Sequence, residues 1–139
     1  VARGCANLLN DDVDPTWLGF AFETLVINEV RAYNHYLKFN RNLFYYKFSG
    51  GYEIDLLIEN RKKTISTKQS LTAIEIKSSI HWDKRWNDTL FTFKEKAQPR
   101  IQKIIGVYQG KRTLNFGDLR VYPVEEFLLR LSQGEFFRA

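Results

Sequence analysis

Two short apolar runs, YEIDLLI at 52–58 and TAIEIK at 72–77, carry charged residues in their interiors, and no other feature constrains the fold of this chain as strongly. Both read as strands, whose side chains alternate between two faces. Ile54, Leu56 and Ile58 are then expected on one face, with Glu53, Asp55 and Leu57 on the other. In the second run Ile74 and Ile76 face one way, Glu75 and Lys77 the other. If both isoleucine faces turn to a core, Asp55, Glu75 and Lys77 converge. Two carboxylates brought together repel, and one pKa rises unless a cation neutralises them. A hard divalent ion such as Mg²⁺ is the natural oxygen-liganded partner. A lysine beside that ion can orient an attacking water or stabilise charge on a phosphate. The competing reading is a half-solvated antiparallel hairpin in which Glu75 pairs across strands with a lysine.

The surrounding pattern supplies the frame. Between Thr16 and Leu37 the residues Phe22, Val26, Val30, Tyr33 and Leu37 recur at helical spacing, with Asp14 as cap and Pro15 at the first helical position. LFYYKF at 43–48 reads as an aromatic-rich strand, and Gly50 and Gly51 turn the chain into the first acidic run. The polar segment ENRKKTISTKQS extends a hairpin to the second. Residues 84–97 form a helix that must end before Pro99; KIIGVYQG and DLRVYP follow as strands, and VEEFLLRLSQG as a helix closed by Gly134. Helix, three strands, helix, two strands and helix together predict an α/β sandwich, a mixed β-sheet flanked by helices.

At 139 residues with 44% hydrophobic and 15% aromatic content, the chain is the size of one domain, 1–139, with enough apolar surface for a core. Cys5 has no partner for an internal disulfide, and no run resembles a membrane span or a signal peptide, so a cytoplasmic location is expected. The start at Val1 rather than Met suggests a fragment of a longer chain. The net charge is +5, and Lys94, Lys96, Arg100, Lys103, Lys111 and Arg112 gather against Glu95 alone. Such a cluster either attracts a phosphate backbone or is an ordinary solvated surface.

Asp55, nineteen intervening residues, then Glu75-Ile76-Lys77 resembles the PD-(D/E)XK nuclease superfamily. The segments GFAFETLVINEV, YYKFSGGYEIDLLI, AIEIKSS and IIGVYQG followed by LRVYPVEEFL look more specifically like the nuclease-like domain of uncharacterised function at the C-terminal end of bacterial and archaeal AAA-type ATPases. The resemblance implies a restriction-endonuclease-like fold, Mg²⁺ (or Mn²⁺) as cofactor, and DNA and an ATPase domain of the same longer chain as partners. It assigns metal ligation to Asp55, Glu75 and the carbonyl of Ile76, and gives Lys77 the task of assisting the nucleophilic water. Glu23 is the best match to a helix glutamate that often joins the site, with Glu29 second. Asp55 follows Ile54 where the motif's name has proline. The implied function is Mg²⁺-dependent hydrolysis of DNA phosphodiesters; the alternative is a non-catalytic nucleic-acid or protein-interaction module that keeps the fold.

Other signals carry less. GVYQGKRT has three residues between its glycines where a phosphate-binding loop has four. His35 and His81 lack partners at metal-ligand spacing. Trp82, Arg85 and Trp86 either stack on unpaired bases or, as aromatics just after a sheet more often do, seal its edge. Phe91 and Phe93 read as core or near-core, and Pro99 between Gln98 and Gln102 spoils their match to a nuclease glutamine.

Overall fold

The computed structural model describes residues 15–47, 53–97 and 99–139. Helix α1 (Pro15–Tyr36) leads into strands β1 (Leu43–Lys47), β2 (Glu53–Arg61) and β3 (Ser70–Ile76). Helix α2 (Arg85–Lys96), strands β4 (Arg100–Tyr108), β5 (Leu114–Phe116) and β6 (Leu119–Pro123), and helix α3 (Val124–Ser132) complete the chain. The expected Asp14 cap, the Gly50–Gly51 turn, Cys5 and Gln98 lie outside the described residues.

The strands form one mixed sheet in the order β1-β2-β3-β4-β6-β5. β1, β2 and β3 pair antiparallel as a meander. The α2 crossover then sets β4 parallel to β3, and β6 lies parallel to β4 with β5 antiparallel on its outer edge. Both faces are covered. Phe22, Val26 and Val30 of α1 and Phe127 and Leu131 of α3 bury against Leu56, Ile58, Ile74, Ile76, Ile105 and Val107. Leu90 and Phe93 of α2 bury against Ile54, Leu57, Leu71, Ala73, Ile104 and Val121 on the opposite face. The α/β sandwich is the one its pattern predicts, and every residue of β3 is buried. A half-solvated hairpin is therefore not what β2 and β3 make.

The structure corrects the expected face of Ile54. It packs with Leu57 on the α2 side, whereas Leu56 and Ile58 face α1. Phe44 pairs with Leu57 and Tyr46 with Ile54, so β2 carries one residue more than β1 between these pairs. That is a β-bulge at Asp55–Leu56, the kind of irregularity that re-aims a side chain.

Strand β5 went unforeseen, although its signal is present. Phe116 pairs with Leu119 across the two residues Gly117 and Asp118, and Gly117 has φ +63°. A Gly-Asp pair between apolar residues is a two-residue hairpin signature. The last aromatics also return to the core: Phe136 and Phe137 are buried, and Phe136 stacks on Phe127 at 4.9 Å. Asn60 ties this tail to β2, donating to the Phe136 carbonyl at 2.8 Å while accepting from Thr72 Oγ1 at 2.8 Å. No helix among the described residues is long and apolar enough to cross a membrane.

Candidate functional site

The β2–β3 ladder runs from Arg61–Ser70 to Leu56–Ile74 and stops one residue short of Asp55. Past that point the Asp55 side chain takes over from the backbone, its Oδ2 accepting the Ile76 N–H at 2.7 Å. A strand residue directs its N–H and C=O to the same side, so the Ile76 carbonyl also leaves toward Asp55. On the far side of β3 the Lys77 N–H donates to the Val107 carbonyl at 2.9 Å. The bulge, the end of the ladder and the oxygen donors Asp55 and Ile76 thus coincide.

Glu75 is 5% exposed, and its carboxyl lies in hydrogen-bonding contact with that of Asp55. Burial first, then Asp55, pushes its pKa up to about 10, against a weaker opposing pull from Lys77. Glu23, half-buried on α1, is raised in the same direction by burial and then by Asp55. Gly19, one helical turn before Glu23, lets α1 approach closely, since a Cβ there would sit 3.2 Å from Ser78 Oγ. Glu23 is thus a helix acid that feels the Asp55 charge, while Glu29 lies half-buried further along α1.

A second buried acid shows how different this pair is. Glu59, at the other end of β2, is 7% exposed and accepts from Asn42 Nδ2 at 2.9 Å and from Gln69 Nε2. Neutral amides satisfy Glu59, whereas Glu75 meets another carboxyl.

Lys77 is half-buried, and its Nζ stands over the Trp86 ring at 5.1 Å. Among the described residues no salt bridge joins Lys77 or Glu75 to an opposite charge, so the cross-strand ion pair is absent there. Trp86 meets Trp82 edge-on at 5.1 Å, and Trp82 donates from Nε1 to Asn87 Oδ1 at 2.7 Å. Trp82 lies across Gly106, where a Cβ would come within 2.6 Å of its ring. Trp82 therefore packs against the sheet, and Trp86 backs the lysine. Arg85 turns outward to an ion pair with Asp83.

Residues 18–127 match the family described as "Domain of unknown function (DUF4143)". The chain belongs to the DUF4143 family. The matched segment contains Glu23, Asp55, Glu75, Lys77 and the bulge that joins them. No match is found among curated proteins or among solved structures.

Elsewhere in this DUF4143 domain the basic cluster divides. Lys94 pairs with Asp118 at 2.8 Å and, with Lys103, lines a cavity at the N-terminal ends of β4 and β6. Lys96 faces a separate aromatic groove, and Lys111 lines a third cavity beyond the end of β4. Gln102 accepts from Ser70 Oγ at 2.8 Å and donates to the Arg138 carbonyl, a tie within the fold. His35 and His81 are exposed, and among the described residues no group of three or more His, Cys, Asp or Glu is gathered as a metal site. Tyr45 was not singled out by its sequence: it stands opposite the Asp55–Leu56 bulge, and partial desolvation, then nearby Glu53, Asp55 and Glu23, raise the pKa of its hydroxyl. Its place in an aromatic strand just before the acidic one was the available signal.

Proposed function

We propose that this DUF4143 domain hydrolyses DNA phosphodiesters with Mg²⁺, or Mn²⁺ in its place, in the manner its PD-(D/E)XK-like motif implies. The observation that carries the reading is Glu75, a buried carboxyl set against the carboxyl of Asp55 with a lysine close by and no cation pairing it among the described residues. The donor chemistry fits the ion: Asp55, Glu75 and the Ile76 carbonyl offer hard oxygens only, and the repulsion between the two acids is what a divalent cation relieves. When bound, the ion supplies positive charge to the acid pair and to the phosphate under attack. Asp55 and Glu75 hold it, and Glu23 adds negative charge from α1. Lys77, its ammonium held over Trp86, presents that charge for the water or the phosphate oxygens.

One observation favours the second reading, a non-catalytic interaction module beside an ATPase domain of a longer chain. Asp55 already has a structural task, closing the β2–β3 ladder through Ile76. Purified protein tested with Mg²⁺ and Mn²⁺ on single-stranded, duplex and branched DNA separates the two. Cleavage above an Asp55→Asn control, lost in Lys77→Ala, supports hydrolysis. Cutting of none of these substrates leaves the interaction module.

A further inference from the structure

The sheet's outer strand β1 exposes three aromatics in a row, Phe44, Tyr45 and Tyr46, at 41, 58 and 43%. An edge strand is normally kept from association by charge or by brevity, so an aromatic edge of this kind invites an occupant. Phe44 and Tyr46 line a groove of about 380 Å³ with Leu71, Phe93, Lys96 and Pro99. Tyr45 borders the same groove and stands opposite the Asp55–Leu56 bulge of β2. One strand thus connects an aromatic groove to the acid pair.

The charge around the groove selects the kind of occupant. Lys96 lies in its wall, and the exposed Lys68 and Arg100 adjoin its lining residues in the chain, against the exposed acid Glu95; Lys47 is paired with Glu53 at 3.7 Å. Flat rings bordered by cations suit a polyanion with flat faces to stack, and every base has such a face. In a duplex those faces are hidden inside the stack, so the strand must be unpaired.

We propose that Phe44, Tyr45 and Tyr46 form a stacking platform that takes the unpaired bases of single-stranded DNA and leads the strand to Asp55 and Glu75. The proposal deepens the hydrolytic reading and rests on it for the direction of the strand. Aromatic stacking of this kind changes affinity by about five-fold or more per base when the ring is removed.

The test is fluorescence anisotropy of labelled oligothymidylate in EDTA, where no cleavage intervenes. An abasic strand of equal length serves as the comparison. The purified protein should bind oligothymidylate at least ten-fold more tightly than the abasic strand. Phe44→Leu combined with Tyr46→Leu should remove that preference, as should the more conservative Tyr45→Leu in part, with circular dichroism melts confirming the fold. Asp55→Asn should lose cleavage yet still prefer oligothymidylate to the abasic strand, so the two ideas fail separately. Equal affinity for both strands, or unchanged binding in the folded variants, overturns the platform and leaves hydrolysis standing. Base-dependent binding without any cutting keeps the platform and removes hydrolysis. Self-association in sedimentation, lost with the same substitutions, assigns the edge to a second copy and overturns the proposal.

Discussion

Replacing Glu75 by glutamine should make the metal-free protein more stable at alkaline pH while destroying its response to Mg²⁺. In the native protein burial and Asp55 hold the Glu75 proton to about 10, whereas an unfolded glutamate ionises near 4.5. Between those values the native state binds a proton that the unfolded state releases, so stability is fullest below the lower value and declines as pH rises. One such proton sets a maximum slope of about 1.4 kcal/mol per pH unit. From pH 6 to pH 8 the wild type should lose up to about 3 kcal/mol more than Glu75→Gln, roughly 10 °C in melting temperature at this chain length. Glu23, shifted in the same direction, adds to the wild-type decline and remains in the variant. Glutamine keeps the shape and still donates to Asp55, so the comparison isolates the charge. A cation needs Glu75 ionised; binding therefore expels its proton, and the stabilisation by millimolar Mg²⁺ should grow with pH. Thermal melts across pH 6 to 9, in EDTA and in Mg²⁺, read both effects. Parallel curves for the two proteins in EDTA would refute the claim that Glu75 is buried with its proton. Equal stabilisation of both by Mg²⁺ would place the cation elsewhere.

Lys77→Ala should cost at most about 1 kcal/mol, the worth of its contact with Trp86, yet abolish cleavage; Lys77→Arg should leave turnover well below wild type, because the guanidinium fork cannot replace a compact ammonium. Wild-type turnover in Lys77→Arg would reduce the lysine to packing. Gly106→Ala drives a methyl to within 2.6 Å of the Trp82 ring and should destabilise by roughly 1–3 kcal/mol in urea melts, with a shift in tryptophan fluorescence. A wild-type melt and spectrum would mean that the ring yields freely. Asp55→Ala orphans the Ile76 N–H and should cost about 1–3 kcal/mol, whereas Asp55→Asn keeps an acceptor and should stay within about 1 kcal/mol of wild type. Equal melting of the two variants would show that the ladder end does not depend on Asp55.

Local pattern carried most of the architecture. The stripe Phe22, Val26 and Val30 is fully or nearly buried in α1 as its spacing requires, and α2 stops at Lys96, with Ala97 extended ahead of Pro99. What depends on distant partners could not be read in the same way. Alternation in TAIEIK says that Glu75 and Ile76 oppose each other; it does not say that helices cover both faces, which is what buries Glu75. The bulge at Asp55 exists only in the register between β1 and β2. Trp82 against Gly106 joins a loop to a strand more than twenty positions away.

On the proposed reading Asp55 would serve two demands that a spacing motif cannot separate. Its carboxylate accepts the Ile76 N–H and, on that reading, would also ligate the cation. The adjustment falls on Glu75, which keeps its proton under burial and Asp55 and surrenders it only to a competing positive charge. A pair built only to close a ladder has no need of the second acid; an apolar side chain at position 75 would pack between β2 and β4 without the desolvation penalty. It is the presence of Glu75, more than that of Asp55, that calls for a function beyond the fold.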